Sequence, residues 1–383
     1  MTDPGARRRA LAERLVAEEW LRTPVWRTAV EAVPREAFLG PAIYRPSQPP
    51  GPTTWTPVRR DHVNPAQWSS WANQNTTWVT QIDGVLAEDA TVPVQGAPTS
   101  SSTLPGLVVQ MIEQAGAGPG DRVLEIGTGT GYSTALLCAV LGAQDVTSVE
   151  VDPRVAERAR KALAGLDRHP HLIVGDGLLG APGRAPYDRL VAACSVRHIP
   201  YRWLRQVRPG GTILVTLSGW MSGYGLVLLT VDDKGGATGR FLPGYTSFMI
   251  ARPHDHPPHG TIELLPGSER ETRVSPALLD DWTGRFVGQL AAPSAHRLGA
   301  GDEQVLIDVS TGSQARTRRS PDGEGWTVIE RGPLALWDLV EAAIASWQAA
   351  GAPHQSGFGI TVTPDCQRVW LGDPEGPGWR LPV

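Results

Sequence analysis

Between residues 104 and 218 the sequence alternates regularly between helical patterns and short apolar strands. Such alternation is typical of a parallel sheet covered by helices on both faces. The predicted elements are helix 106–115, strand 122–126, helix 133–141, strand 145–149, helix 153–164, strand 172–174, strand 189–193 and a strand within GGTILVTL. The predicted fold class is therefore α/β, with a doubly wound sheet that binds ligands beyond the carboxyl ends of its strands.

The stretch VLEIGTGTGY, residues 123–132, lies where one of these strands passes into a helix. Its glycines, Gly127, Gly129 and Gly131, let a ligand approach backbone N–H groups closely. A dinucleotide fingerprint needs its third glycine at position 132, which is Tyr132, so a nicotinamide cofactor is disfavoured. Acidic residues before the first glycine and at the next strand end instead fit S-adenosylmethionine, a nucleoside with a cationic amino-acid tail.

Three acidic residues, Glu125, Glu150 and Asp176, end successive predicted strands. A carboxylate at the position of Glu150 can accept hydrogen bonds from both ribose hydroxyls. Any one of them could be a solvated charge or a structural turn, but three in succession are more specific. The predicted cofactor site comprises Glu125, Gly127, Thr128, Gly129, Gly131, Tyr132, Glu150, Val151, Asp176 and Gly177.

The sequence before residue 96 changes character twice. Residues 8–32 predict two short amphipathic helices broken near Pro24, whereas the proline-rich stretch RPSQPPGPTTWTP cannot be helical. The tryptophans that follow either pack this insertion onto the body or line a binding surface, and we favour packing; they are Trp55, Trp68, Trp71 and Trp78.

The tail after Trp220 is less regular. LVLLTV predicts a strand, residues 334–350 predict a helix, and FGITVTPDCQRVWL predicts two strands around a Pro-Asp turn. At 383 residues the chain suggests two domains, or one domain with large additions. The predicted segments are 1–40 (helical), 41–95 (Pro/Trp-rich insertion), 96–220 (cofactor-binding domain) and 221–383 (C-terminal substrate-recognition subdomain).

Composition excludes several functional classes. The net charge is −4 and the basic runs are short, so no nucleic-acid partner is expected. Three scattered cysteines and the lack of any apolar run of 18 residues predict a soluble cytoplasmic protein with no membrane partner. HDHPPH brings together His254, Asp255, His256 and His259, but a proline-rich loop does not fix a ligand shell, and no metal site is predicted.

Several motifs occur in a characteristic order: VLEIGTGTGY, SVE, GDG, APYDRLVAACSVRHIP and VRPGGTILVTLSG, preceded by AVEAVPREAF at residues 29–38. This ordered set resembles the protein-L-isoaspartate O-methyltransferase family over a little under half of the chain. The resemblance implies a class I methyltransferase with a Rossmann-like sheet and S-adenosylmethionine as the methyl donor. The Trp-rich insertion and an appended α+β C-terminal subdomain lie outside it.

The same resemblance points to the residues that handle the acceptor. The family carries a Thr-x-Ser-x-Pro motif held to bind the acceptor carboxylate, and the matching stretch here is PTSSSTLPGLVVQM. Anchoring on Pro105 places Ser101 at the motif's Thr and Thr103 at its Ser, with Ser102 as a competitor. A run that only caps the following helix is the alternative.

The motif AACSVRHIP supplies the predicted substrate-binding residues, Cys194, Ser195 and His198. The alternative at this position is a Cys/His nucleophile pair. Since Cys194 follows an apolar strand, a small buried residue is the favoured interpretation.

The tail resembles extended forms of this methyltransferase found in actinobacterial clusters for ribosomally synthesised, modified peptides, through GRFLPGYTSFM, RGPLALWDLVEAA and FGITVTPDCQRVWL. That resemblance implies methylation of an Asp in a macrocyclised precursor peptide, followed by aspartimide formation. The alternatives are general repair of isoaspartyl residues and a non-catalytic scaffold that keeps the fold. The sequence leaves the oligomeric state open.

Overall fold

A computed structural model describes residues 4–48, 51–258 and 263–382. The chain forms two compact units. The first takes in the residues up to Ala193 together with Arg205–Leu214, and the second takes in Cys194–Leu204 and the residues from Val215 onward.

The first unit begins with two helices, as predicted, and continues with a six-stranded antiparallel sheet formed by the insertion and the strand that follows it. The described residues of the proline-rich stretch, 45–48 and 51–57, are strand or loop, as predicted. Its strand order is β4-β3-β1-β2-β5, with β6 paired to β3. The elements are α1 (Pro4–Ala17), α2 (Pro24–Ala32), β1 (Ala42–Pro46), β2 (Thr54–Arg59), α3 (Pro65–Ala72), β3 (Trp78–Ile82), β4 (Val85–Leu86), β5 (Val94–Gln95) and β6 (Pro98–Ser102).

The tryptophans of the insertion pack rather than face solvent, which confirms the favoured interpretation. Trp68 and Trp78 are buried with Leu39, Ile43 and Ala72 in one apolar cluster. Polar contacts also attach the insertion to the helix after β8: Gln81 donates to Asp152, Arg154 pairs with Asp89 at 2.6 Å, and Arg158 pairs with Glu88 at 3.2 Å.

A parallel sheet follows in the first unit, with the order β10-β7-β8-β9. The predicted helices and strands are all present within a few residues of the expected bounds, which confirms the α/β class. Strands β10 and β11 each run from one unit into the other. The elements are α4 (Pro105–Gln114), β7 (Val123–Ile126), α5 (Tyr132–Leu141), β8 (Val146–Glu150), α6 (Pro153–Ala164), β9 (His171–Val174), β10 (Tyr187–Val196), α7 (Tyr201–Leu204) and β11 (Val207–Leu217).

The second unit contains two antiparallel arrays, β12-β13-β19-β20-β21 and β14-β18-β17-β16-β15. Helix α9 buries Leu336, Val340, Ile344 and Trp347, the apolar face that the sequence predicts. The elements are β12 (Gly225–Val231), β13 (Ala237–Phe241), β14 (Ser268–Thr272), α8 (Trp282–Ala291), β15 (Ala295–Ala300), β16 (Glu303–Asp308), β17 (Ser313–Arg319), β18 (Trp326–Arg331), α9 (Leu336–Ala349), β19 (Phe358–Val362), β20 (Gln367–Leu371) and β21 (Gly378–Arg380).

Candidate active site

The glycine turn between β7 and α5 needs glycine for its backbone conformation. Gly127, Gly129 and Gly131 have φ values of +89°, +54° and +90°, a region that other L-residues seldom adopt. The amide of Gly127 donates to the Val149 carbonyl across 2.8 Å, which ties the turn to the end of β8. The turn is therefore a fixed, tight loop.

The Glu150 carboxylate is also tied to this turn. Its Oε2 accepts from the Gly129 amide at 2.8 Å, and its Oε1 accepts from the Asp152 amide at 3.0 Å. An ionised carboxylate offers about four acceptor positions in all. The orientation of the carboxylate is set before any ligand binds.

Glu125 lies deeper, with only 2% of its surface exposed. Its Oε2 accepts from the Thr134 hydroxyl at 2.6 Å and from the Ser148 hydroxyl at 2.7 Å. Burial raises the pKa of Glu125, and these hydroxyl bonds oppose that rise. Glu125 thus joins the start of α5 to β8, and its contact with a cofactor stays a prediction.

The remaining predicted cofactor residues surround the same strand ends. Asp176 accepts from the Leu178 amide at 2.9 Å, and Val151 is 38% exposed. At Gly177 a Cβ would lie 2.5 Å from Cγ2 of Ile126, so a side chain does not fit. Thr128 shares a 2.6 Å hydrogen bond with Ser148.

Tyr132 is buried and contributes to the core of the first unit. Its ring packs edge-on against Phe38, with centroids 6.0 Å apart, and burial raises its pKa to about 12. Within the described residues its hydroxyl has no hydrogen-bond partner. The assignment of Tyr132 to the cofactor site stays a prediction.

The Ser/Thr run, residues 100–103, lies in strand β6 and directly after it. It does not cap helix α4, which follows. Leu104 occupies the N-cap of α4 without a side-chain hydrogen bond. The orphan amides at this helix end are instead satisfied from the insertion: Asn75 accepts from the Gly106 amide at 2.8 Å, and Thr77 accepts from the Leu104 amide at 3.1 Å. The capping alternative for the run is therefore wrong.

The three candidate hydroxyls differ in availability. Ser102 is buried and accepts from the Arg35 guanidinium at 3.2 Å. Ser101 and Thr103 are half-buried, and in the described part of the chain neither hydroxyl has a hydrogen-bond partner. A Cβ at Gly129 would lie 3.5 Å from the Ser101 carbonyl oxygen, which puts β6 beside the glycine turn.

Arg35 is a positioning residue that the sequence analysis missed. It is 1% exposed, and its guanidinium donates to neutral acceptors on two segments of the chain. They are the carbonyls of Ala72, Gln74, Thr76, Ser102 and Thr103 and the hydroxyl of Ser102, at 2.8–3.2 Å. Burial lowers the Arg35 pKa to about 10, so the guanidinium stays charged at neutral pH. The sequence signal that could have located it is the VPRE segment, residues 33–36.

Cys194, Ser195 and His198 belong to the second unit. The Ser195 hydroxyl is fully buried and donates to the Phe248 carbonyl at 2.9 Å, so contact with a substrate would require this bond to break. The ring of His198 lies 4.4 Å from that of His254, and burial lowers its pKa. Cys194 is half-buried. Substrate contact stays a prediction for these residues.

Two features of other functional classes are absent from the described residues. No group of three or more His, Cys, Asp or Glu side chains within them could hold a metal ion, and His259 lies outside the described residues. No helix among them is both long and apolar enough to cross a membrane.

Comparisons with known proteins give a consistent result. The family model for protein-L-isoaspartate(D-aspartate) O-methyltransferase matches residues 76–226. The protein-L-isoaspartate O-methyltransferase of Hyperthermus butylicus is 30% identical over 238 residues, which is 59% of this chain and 82% of that protein. The one from Ignicoccus hospitalis is 36% identical over 130 residues, or 33% of this chain; the chain spans about three fifths (61%) of that relative's length.

A solved structure of a protein-L-isoaspartate O-methyltransferase is similar in fold. The likeness covers 96% of this chain and 100% of that one, with a TM-score of 0.55 and 18% sequence identity. It confirms the predicted class I methyltransferase fold.

Proposed function

The chain belongs to the protein-L-isoaspartate O-methyltransferase family, and we propose that it is an S-adenosylmethionine-dependent carboxyl O-methyltransferase. Its proposed acceptor is the side chain of an Asp in a modified, macrocyclised ribosomal precursor peptide. The resulting methyl ester then closes to an aspartimide with loss of methanol.

The residues at the strand ends fit the cofactor. Glu150, proposed to accept from the ribose hydroxyls, is held at the end of β8 by its bonds to the Gly129 and Asp152 amides. Gly177 leaves no side chain against Ile126, and the glycine turn presents backbone close to the same edge. When bound, S-adenosylmethionine supplies an electrophilic methyl group on a positively charged sulfur.

The acceptor carboxylate must be positioned by the protein, but it does not need a general base. An Asp side chain has a pKa of about 3.9 in water and is already an ionised nucleophile at neutral pH. The enzyme must hold one carboxylate oxygen in line with the methyl group and exclude water. The Ser101 and Thr103 hydroxyls can donate to that carboxylate without neutralising it, and Arg35 fixes the backbone from which Thr103 projects.

The observation that supports this proposal is the position of β6: the backbone carbonyl of Ser101 lies close to Gly129 of the glycine turn, and the Ser/Thr run does not cap α4. The test is intact-mass analysis of Asp-containing precursor peptides, linear and macrocyclised, incubated with the protein and S-adenosylmethionine. We expect the cyclised form alone to gain one methyl group and then to lose methanol. A protein that binds the cofactor but methylates no cyclised peptide contradicts the proposal.

General repair of isoaspartyl residues is the second candidate, and one observation favours it. A solved isoaspartate methyltransferase of low identity matches nearly the whole chain in fold, so the C-terminal part alone does not argue for a dedicated peptide substrate. Turnover of a generic isoaspartyl peptide, compared with turnover of the cyclised precursor, separates the two functions. Equal turnover regardless of the ring favours repair.

A further inference from the structure

Gln81, on strand β3 of the insertion, is a polar residue buried in the interior of the first unit. Burial of an amide is unfavourable unless its atoms are hydrogen-bonded. Its Oε1 accepts from the Thr99 hydroxyl at 2.9 Å. Its Nε2 donates to the Gly84 carbonyl at 3.2 Å and to Oδ2 of Asp152 at 2.9 Å. The amide therefore joins β6 to the residue that precedes α6.

Strand β3 is irregular at this residue. The pairing of Gln81 with Ser100 of β6 has a register shift on each side. Irregularities of this kind redirect a side chain and are common next to active sites. An apolar residue of similar size would fill the same space without needing partners. The irregular strand and the bonded amide together indicate that Gln81 serves as a connection.

The hydrogen bonds continue from Asp152 to the glycine turn. Oδ1 of Asp152 accepts from two backbone amides in the first turn of α6, at 2.9 and 3.2 Å, and Oδ2 accepts from Gln81. Because both oxygens are bonded, the orientation of Asp152 is fixed. Its backbone amide donates to Oε1 of Glu150 at 3.0 Å, and Oε2 of Glu150 accepts from the Gly129 amide at 2.8 Å. An unbroken series of bonds thus leads from Gln81 to the glycine turn.

The bond between Gln81 and Asp152 is the buried polar contact between the insertion and this region. Other charged groups on the surrounding elements are Asp83, in the turn after β3, and two ion pairs, Arg154–Asp89 and Arg158–Glu88. The side chains of both ion pairs are partly exposed, and exposed pairs contribute little. A hydrogen bond to a carboxylate is stronger, and more so when it is buried.

We propose that Gln81 is a positioning residue for the cofactor, which acts by fixing the Glu150 carboxylate through Asp152. Through Thr99 it also ties that carboxylate to β6, the strand of the proposed acceptor hydroxyls. The inference rests on the proposed function, because it takes Glu150 as the residue that binds the ribose of S-adenosylmethionine. It assigns to the insertion a role in cofactor binding.

The test measures the dissociation constant of S-adenosylmethionine for the full-length protein by isothermal titration calorimetry. Titrations are made at about pH 8 and about pH 6, above the usual pKa of a carboxyl group. Gln81→Leu keeps most of the volume and removes the donor. It should weaken binding about tenfold at both pH values, the size of one charge-assisted hydrogen bond.

Gln81→Glu has nearly the same shape but places a second carboxylate against Asp152. At about pH 8 the two carboxylates repel each other, so binding should be weaker than in the wild type. Burial and a like charge both raise the pKa of the pair, so at about pH 6 it takes up a proton that restores a hydrogen bond. Affinity relative to the wild type should therefore recover as the pH falls. A residue that only stabilises the fold would show no such recovery.

Gln67→Glu is the matched control, since it makes the same charge change at an exposed position of α3 in the same insertion. It should bind the cofactor normally at both pH values. Melting temperatures separate loss of folded protein from loss of affinity, and Gln81→Glu carries the test if Gln81→Leu unfolds. Wild-type affinity in Gln81→Leu, or a deficit in Gln81→Glu that does not shrink as the pH falls, overturns the inference.

Intact-mass analysis of a cyclised precursor distinguishes failure of this inference from failure of the proposed function. Methylation of the precursor, together with a cofactor affinity that does not depend on Gln81, refutes the positioning role alone. Cofactor affinity that depends on Gln81, with no methylation of any peptide, refutes the function alone.

Discussion

The backbone amide of Gly129 donates to Oε2 of Glu150 across 2.8 Å, and this bond joins the glycine turn to the end of the neighbouring parallel strand. The acidic residue proposed to bind ribose therefore also holds the glycine turn, which is the proposed cofactor loop. A substitution at Glu150 removes both contributions.

Glu150→Ala should weaken S-adenosylmethionine binding by about 1–3 kcal/mol, the usual range for a charge-assisted hydrogen bond. Isothermal titration calorimetry measures the change. Glu157→Ala, on the exposed side of α6, is the matched control and should bind normally. If Glu150→Ala retains full affinity, Glu150 is not a cofactor ligand.

Thr103→Val should lower the rate of methyl transfer while leaving cofactor affinity nearly unchanged, because it removes only the hydroxyl proposed to hold the acceptor. Single-turnover methylation with a cyclised peptide, together with calorimetry, checks both quantities. Should Ser101→Ala lower the rate instead, the alignment anchored on Pro105 is wrong. Ser102→Ala is expected to act mainly on stability, since its hydroxyl already accepts from Arg35.

Arg35→Met should destabilise the first unit by about 3–5 kcal/mol, because it leaves a set of buried carbonyls without a donor. Arg35→Lys should recover part of this loss, since an ammonium still offers three donors. Urea unfolding of the variants measures the change, with Arg205→Gln as the exposed control. An Arg35→Met protein as stable as the wild type would show that the guanidinium does not brace β6.

The second unit should lose stability as the pH falls from about 6.5 towards 4. Burial lowers the pKa of His254 from 6.5 to about 4, so the folded state favours the neutral ring. Its Nδ1 accepts from the Arg197 amide at 3.1 Å, which requires an unprotonated nitrogen. The unfolded chain takes up the proton first, near pH 6.5, and the stabilising contribution is present above that pH.

Thermal melting between pH 4 and 8 tests this prediction. His254→Asn can still accept from the Arg197 amide but cannot titrate, so its melting temperature should depend less on pH in this window. A pH profile identical to that of the wild type would exclude His254 as the titrating group.

The central sheet could be predicted because its strands are continuously apolar and its helices have a clear apolar face. The array β14–β18 could not, because strands such as β17 bury Ser313, Ala315 and Thr317 while exposing charge, and small polar residues give no hydropathic alternation. The hydrogen bond from the Gly106 amide to Asn75, and the hydrogen bonds of the Arg35 guanidinium, also could not be predicted. Both join residues more than 30 positions apart, and local patterns do not encode such contacts.

Three of the carbonyls that solvate Arg35, those of Ala72, Gln74 and Thr76, come from the insertion. The insertion therefore cannot be treated as a detachable module. Grafting it from a relative, or shortening it, would remove hydrogen-bond acceptors from the buried Arg35 guanidinium. A chimera that exchanges the insertion should therefore keep residues 72–76 of the host and join the foreign sequence before them.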